Sequence, residues 1–166
     1  MPATLMGLVI TFIMQPNVVQ LSSLYNQGRY RNFEKIVMKM IAVATLVGLA
    51  VLIVTYAAGP FILKTIFAVD FSKYQIALTV LAGGAILGSL VAILINILTI
   101  LRKFYGQLYV LLATNLVLAV FSPLVIERYA TLGAVTLFGA TNAAQLLLLA
   151  LIYRAHIRKG GDEKNN

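Results

Sequence analysis

The polar residues that could act on a substrate are uncharged and lie within two long apolar stretches of the sequence. In the first stretch they recur at intervals of three or four residues, at Thr4, Gly7, Thr11 and Gln15. In the second they recur every three residues, at Gly139, Asn142 and Gln145. These spacings place each set on one face of a helix. Such a face could line a water-filled cavity for a polar substrate, or it could hydrogen-bond to neighbouring helices, where each pair contributes about 0.6 to 2 kcal/mol.

Four cations follow the first of these stretches, at Arg29, Arg31, Lys35 and Lys39. Lys35 and Lys39 are one helical turn apart and project from the same face. The cluster could contact a substrate phosphate, or it could serve topology and attract anionic headgroups. Because the cations of the chain are spread over three connections and not gathered on one soluble module, nucleic acid is not an expected partner.

Residue types suited to covalent or metal chemistry are scarce. The chain has no cysteine, one histidine and five acidic residues. Disulfides and thiolate metal sites are therefore excluded, and little remains for a hydrolase or a metalloenzyme. The histidine, His156, lies in a polar C-terminal segment and is expected to be solvated. We expect no enzyme activity, no metal and no cofactor.

The elements that must position these residues are membrane-spanning helices. Of the 166 residues of the chain, 61% are hydrophobic and 11% are charged. A soluble fold of this length could not bury so much apolar surface. Uncharged runs of more than twenty residues, enough to cross about 30 Å of hydrocarbon, predict an all-α integral membrane protein. The predicted helices lie near 4–24, 36–58, 75–100, 107–126 and 132–153, in a bundle over 1–153 that a frayed, polar, cytoplasmic tail follows at 154–166.

The positive-inside rule predicts the orientation of this bundle. Ten of the thirteen Lys and Arg residues fall in the first connection, the third connection and the tail, and three fall elsewhere, at Lys64, Lys73 and Arg128. This distribution predicts a multi-pass protein of the cytoplasmic membrane with its C-terminus inside and Met1 outside. A chain that begins outside without a basic leader is expected to be the C-terminal part of a longer protein. The alternative is a short natural protein whose first helix lacks flanking charge.

Small residues in the third predicted helix indicate close helix packing. Gly84, Gly88 and Ala92 recur every four residues, and Asn96 continues the series. Because lipid supplies no hydrophobic drive for association, small residues at this spacing let helix backbones approach each other. We predict that Gly84, Gly88 and Ala92 pack against another helix, with self-dimerisation through the two glycines as the alternative.

No ionisable residue lies at the centre of a predicted span, which argues against a proton or sodium coupling site in this stretch.

Three prolines lie in the apolar runs, two as expected kinks and one as an expected helix end. Pro16 and Pro123 fall inside predicted helices, where each removes a backbone hydrogen bond and is expected to kink the helix. Transporters use bent helices around a central site, and packed bundles without a transport role contain them too. The pair Gly59 and Pro60 instead predicts the end of the second helix, at the outer face.

Features in a fixed order carry a resemblance to a known family. From the N-terminus they are Leu21-Ser22-Ser23-Leu24-Tyr25; Gly28, Arg31 and Phe33; Gly59-Pro60-Phe61-Ile62-Leu63; Ile66-Phe67; Tyr74; Leu101-Arg102-Lys103; Asn115-Leu116-Val117-Leu118; Pro123-Leu124-Val125-Ile126; and Gly133-Ala134. Over about residues 10 to 153 the chain resembles the C-terminal part of the polysaccharide flippases of the multidrug/oligosaccharidyl-lipid/polysaccharide exporter superfamily. It departs from the family pattern between Glu127 and Leu132, where members have a shorter turn with glycine.

The resemblance implies a MATE-like fold of two six-helix bundles, of which this chain supplies most of the second. It implies a flippase that moves lipid-linked oligosaccharide to the outer leaflet by alternating access, for lipopolysaccharide, capsule or exopolysaccharide synthesis. The substrate would be a polyprenyl-diphosphate-linked oligosaccharide, with membrane lipid around it. The missing N-terminal bundle or another chain would be needed as a partner, so we expect the isolated chain to be poorly stable or to associate.

Under this resemblance two sets of residues are candidates for the site. The cavity candidates are Thr11, Gln15, Asn142 and Gln145, and the candidates for phosphate or headgroup contact at the cytoplasmic mouth are Arg29, Arg31, Lys35 and Lys39. Three alternatives remain open. They are a drug or cation antiporter of the same superfamily, which would need cavity acids; a small membrane scaffold or assembly protein; and an enzyme using lipid-linked sugars, for which Asp70 and Glu127 are thin evidence.

Overall fold

The computed structural model describes residues 2–67 and 75–162, in which the regular elements are all α-helices. They are α1 (Pro2–Asn26), α2 (Tyr30–Phe67), α3 (Gln75–Ile100) and α4 (Phe104–Asp162). The predicted all-α class is therefore confirmed. In an apolar solvent a long uncharged segment must form its backbone hydrogen bonds within itself, and an α-helix does so. Met1, Asp70, Lys73, Tyr74 and the last four residues of the predicted tail, 163–166, lie outside the described residues.

Three stretches of these helices are long and apolar enough to cross a membrane, judged by length and composition. They are Tyr30–Gly59, Gln75–Ile100 and Phe104–Ile157. A membrane protein built from long apolar helices is therefore supported, and the count of five spans stays a prediction. α1 covers the predicted first helix near 4–24, and α3 has the bounds predicted for the third helix.

α4 is folded back on itself at Ala130, whose φ of 47° and ψ of −127° are not helical. This turn divides α4 into a first arm, residues 104–129, and a second arm, residues 131–162. Gln145 Nε2 donates a hydrogen bond to Thr114 Oγ1 at 2.9 Å, and Gly106 faces Ile152. The arms therefore lie side by side as a hairpin, and they cover the helices predicted near 107–126 and 132–153.

The prediction that Gly59 and Pro60 end the second helix is wrong, because α2 continues through them to Phe67. Pro60 has no backbone N–H, so the carbonyl of Tyr56 loses its usual helical partner. Gln75, the first residue of α3, supplies a replacement, since its Nε2 donates to Tyr56 O at 3.1 Å. A partner 19 residues away along the chain is outside the reach of a local helix-end signal.

α3 is the central helix, since it packs against α1, α2 and α4. The core draws on all four helices, and its largest fully buried side chains are Leu21, Phe33, Val37, Ile93, Ile97, Leu98, Leu101 and Leu149. Most of these residues lie near the end of α3 and the start of α2. The core is therefore concentrated toward one end of the bundle.

The prediction of a frayed tail is wrong for residues 154–162, which continue the second arm of α4 as helix. His156, expected to be solvated, is half-buried. Its Nε2 lies 3.3 Å from the hydroxyl of Tyr25, near the end of α1. This contact holds the C-terminal turns of α4 against the bundle, which hydrophilic composition alone did not reveal.

Candidate functional site

One end of the bundle brings together the segments that carry most of the cations. The end of α1, the end of α3 and the last turns of α4 meet there, since Leu21, Leu101 and Ile157 belong to one apolar cluster. The contact between Tyr25 and His156 joins the same segments. We call this region the cationic end. Charge alone assigned the three segments to one side of the membrane, and the fold places them together.

Two turns with the same hydrogen-bond pattern shape the cationic end. At the end of α1, the N–H groups of Gly28 and Arg29 donate to carbonyls of the last helical turn, and at the end of α3 those of Arg102 and Lys103 do the same. Both are Schellman turns, which need a residue with positive φ. That residue is Gly28 at 68° in one turn and Arg102 at 56° in the other. For a non-glycine residue this left-handed conformation costs about 1–2 kcal/mol.

The predicted phosphate contacts are exposed at the cationic end. The exposed cations there are Arg29, Arg31, Lys35, Lys39, Arg102, Lys103 and Arg154. Phe33 is fully buried, and its ring lies 6.2 Å from that of Tyr25, which fixes the first turn of α2 and its charges. Glu34 is an exposed acid within the same turn. The cationic end is thus an open surface that can attract a phosphate group without enclosing it.

The predicted cavity residues of α1 form an exposed polar face. Thr11 and Gln15 are exposed, and helical spacing continues their face to Ser22 and Asn26. An open groove of about 600 Å³ runs along the second half of this face, lined by Val18, Val19, Ser22, Ser23, Asn26 and Gln27. Sequence reasoning stopped at Gln15, because the next positions at this spacing are Val18 and Val19; polar residues return to the face at Ser22 and Asn26.

The predicted cavity residues of α4 serve contacts between helices instead. Gln145 is 7% exposed and donates across the hairpin to Thr114. Asn142 is half-buried, donates to Phe138 O at 2.9 Å and faces Gly88 of α3. Gln145 matches the alternative in which the polar residues hydrogen-bond to a neighbouring helix, whereas the hydrogen bond of Asn142 stays within its own helix. The structure does not bring them onto the exposed face of α1, because α1 packs on α2 and α3 while α4 packs on α3.

The glycine series of α3 contacts the second arm of α4, and we call this contact the α3–α4 seam. A Cβ built on Gly84 would lie 2.8 Å from Phe138 Cδ1 and 3.3 Å from Gly139 Cα, and one on Gly88 would also meet the second arm. A larger side chain at Gly84 would therefore separate the helices. Ala92, the third residue of the series, is half-buried. Self-dimerisation through these glycines would first require α4 to move.

The two predicted kink residues lie inside helices. Pro16 falls within α1 and Pro123 within the first arm of α4. The non-helical backbone inside α4 is at Ala130. Bending at either proline stays a prediction.

Exposed aromatic side chains lie toward both ends of the bundle. Tyr105 and Tyr109 are exposed near the cationic end, and Tyr56 and Tyr129 are exposed toward the opposite end. Tyrosine is enriched where a protein meets the two surfaces of a bilayer. Between these ends the first arm of α4 exposes large apolar side chains, at Leu112, Leu116, Val117, Val120, Phe121 and Leu124. This distribution is typical of helices that lie in a membrane.

Within residues 2–67 and 75–162, no group of three or more His, Cys, Asp or Glu side chains could hold a metal ion. Comparison of the chain with protein-family models, with curated proteins and with solved structures found no match. The exposed polar face of α1 and the cationic end are therefore the features from which a function can be inferred.

Proposed function

We propose that this chain forms part of a membrane transporter that flips a polyprenyl-diphosphate-linked oligosaccharide across the cytoplasmic membrane, for cell-surface polysaccharide synthesis. The exposed polar face of α1 is the observation that carries this proposal: Thr11, Gln15 and Asn26 are exposed along one side of this helix, with the apolar side chains of Phe12 and Val19 exposed beside them. A polar helix face is unfavourable against lipid. It therefore needs water or another protein segment beside it, and a central transport cavity between two bundles supplies both.

In the proposed mechanism the chain provides two surfaces and no covalent chemistry. Arg29 and Arg31 at the cationic end attract the diphosphate, and the face of α1 with Gln15 and Asn26 hydrogen-bonds to the sugars as they cross. The polyprenyl chain stays in lipid. Rocking of this bundle against a partner bundle would open the polar path to each side in turn.

We further propose five spans, with α1, α2, α3 and each arm of α4 crossing once. The cationic end then faces the cytoplasm and the turn at Ala130 faces outward. Because the chain contains no cysteine, single cysteines can test this topology in intact cells. We expect an impermeant maleimide to label Arg128→Cys directly and Arg102→Cys after permeabilisation. Equal labelling of both before permeabilisation would contradict the proposed topology.

Transport is tested with the full chain and any chain that co-purifies with it, reconstituted in phospholipid vesicles. A polyprenyl-diphosphate oligosaccharide with a fluorescent sugar is included, and dithionite added outside destroys the fluorescence of substrate that reaches the outer leaflet. We expect the protein to make the inner-leaflet substrate accessible over time. Gln15→Leu should slow this about tenfold, as losing about 1.4 kcal/mol of interaction would.

Gln20→Leu is the matched control, because Gln20 is also exposed on α1 but lies roughly 140° around the helix from Gln15, at about 100° per residue. It should leave the rate unchanged. Equal loss in both variants would contradict a specific path along the polar face. Absence of flipping, combined with stable co-purification of another membrane protein, would favour the scaffold alternative.

A further inference from the structure

A second surface feature lies between the two arms of α4, and we call it the inter-arm groove. It has a volume of about 390 Å³, and its lining includes Ala113, Val117 and Phe121 from the first arm and Leu137, Ala140 and Ala144 from the second. Both arms belong to the stretch Phe104–Ile157, which is apolar enough to cross a membrane. In a membrane the groove would lie at the depth of the hydrocarbon.

The inter-arm groove and the α3–α4 seam lie on different sides of the second arm. At about 100° per residue, Ala140 and Ala144 lie between roughly 100° and 160° around the helix from Phe138, Gly139 and Asn142, which meet α3. The groove thus faces away from the rest of the bundle. None of the packing around α3 covers it.

The polar groups in the inter-arm groove are already bonded within α4. The Thr114 hydroxyl donates to Val110 O at 2.7 Å, and the Thr141 hydroxyl donates to Leu137 O at 2.9 Å. Thr114 also accepts the hydrogen bond from Gln145. A sugar would find little to bond with here, whereas a hydrocarbon chain would leave no polar group of the lining unsatisfied.

The groove, together with the helix segment that leads from it to Arg128, is about as long as one lipid. Ala113 and Phe121 are eight residues apart, roughly 12 Å along the helix. Arg128, which is exposed, follows Phe121 by seven residues, which returns to the same helix face about 10 Å farther on. The distance from Ala113 to Arg128 is thus roughly 22 Å, close to the thickness of one leaflet with its headgroups, half of about 40–45 Å.

We propose that the inter-arm groove binds one acyl chain of a membrane phospholipid whose phosphate pairs with Arg128. The hydrocarbon fills the space that the two arms leave open, and the guanidinium fixes the lipid at the end of the hairpin. Glu127 lies about 100° around the helix from Arg128, outside the line of the groove. This site concerns a structural lipid and does not depend on transport of any substrate.

Photocrosslinking in vesicles tests the site with the full chain. The vesicles contain phosphatidylcholine, phosphatidylglycerol and a small fraction of phospholipid with a diazirine on one acyl chain, and adducts are mapped by peptide mass spectrometry. We expect adducts to concentrate on residues 113–121 and 137–148. Filling the groove with Ala140→Phe and Ala144→Phe should reduce them several-fold.

Ala119→Phe is the matched control, because Ala119 is exposed on the opposite side of the first arm. This substitution should leave the adducts unchanged.

The phosphate contact is tested separately at exposed arginines, where substitution leaves packing intact. Arg128→Gln should weaken competition by unlabelled phosphatidylglycerol for these adducts about fivefold, the effect of one cation near an anionic surface. Arg102→Gln, at the opposite end of the bundle, should have no effect. Even labelling of all exposed faces would overturn the proposal. So would equal effects of Ala119→Phe and the groove-filling pair, or crosslinks joining two copies of the chain across the groove.

Discussion

The second arm of α4 makes two different contacts along its length. At the α3–α4 seam, Gly84 lies against the backbone of Gly139 and the ring of Phe138, with no room for a larger side chain. Along the inter-arm groove the two arms are joined by the hydrogen bond between Gln145 and Thr114, and a space of about 390 Å³ stays open. Where lipid gives no hydrophobic drive, residue size decides whether a helix pair closes. Glycine lets the two helices meet at the seam. Alanine and threonine, which are among the residues lining the groove, do not fill the space between the two arms.

The largest expected effect comes from the closed end of the hairpin, at Gly133. A Cβ there would lie 2.6 Å from Val125 O, a backbone atom that cannot swing aside. We expect Gly133→Ala to lower the free energy of unfolding by about 3 kcal/mol through overpacking, measured by SDS titration with circular dichroism in detergent. Gly59→Ala is the control, since its Cβ would meet only ordinary contacts. Unchanged stability in Gly133→Ala would show that the turn at Ala130 has another geometry.

The seam itself is tested by a pair of neighbouring glycines. A Cβ on Gly84 would meet Phe138 and the backbone of Gly139, whereas one on Gly83 would lie 3.8 Å from Leu52. We expect Gly84→Ala to be about 2 kcal/mol less stable than Gly83→Ala in the same titration. If the two variants are equally stable, α3 and α4 do not approach through glycine, and the contrast with the groove disappears.

The hydrogen bond across the hairpin should matter less. Gln145→Leu keeps the buried volume but removes the donor to Thr114, whose hydroxyl still bonds to Val110 O. We expect a loss of about 1 kcal/mol, within the range for polar pairs between membrane helices. A double-mutant cycle with Thr114→Ala isolates the pair. Additive effects would mean that the two side chains do not interact.

The smallest effect is expected at the turn residue. Ala130 has a φ of 47°, a conformation that glycine adopts at lower cost. Ala130→Gly should therefore raise stability by about 0.5–1 kcal/mol. The matched substitution Ala134→Gly, in regular exposed helix, should lower it by about 0.5–1 kcal/mol. Destabilisation of equal size in both variants would contradict the positive φ at residue 130.

The long uncharged runs predicted much of the fold, because such a run in an apolar solvent must be helical. The bounds of α3 and the small-residue face at Gly84 follow from spacing alone, and charge grouped the segments of the cationic end. The end of α2 could not be predicted in this way. The signal at Gly59 and Pro60 is local, whereas the hydrogen bond from Gln75 that lets the helix continue depends on tertiary structure.

The candidate site was predicted less completely than the helices. Spacing identified the polar face of α1 and the polar set of α4 equally well, yet the first is exposed and the second is occupied by helix contacts. The contact of Asn142 with Gly88 and the hydrogen bond of Gln145 to Thr114 distinguish them. The groove between the arms depends on where two helices fail to touch, and one-dimensional periodicity carries no information about such a gap.

The hydrogen bond from Gln75 to Tyr56 also has a mechanical consequence. A proline in a membrane helix usually gives a flexible point, because the freed carbonyl can bend toward any available donor. Here that carbonyl is bonded to the first residue of the next helix, so bending α2 at this point displaces the beginning of α3. Separating the two would cost this hydrogen bond, whose net contribution is about 0.5–1.5 kcal/mol. The ends of α2 and α3 farthest from the cationic end are therefore expected to move as one rigid body.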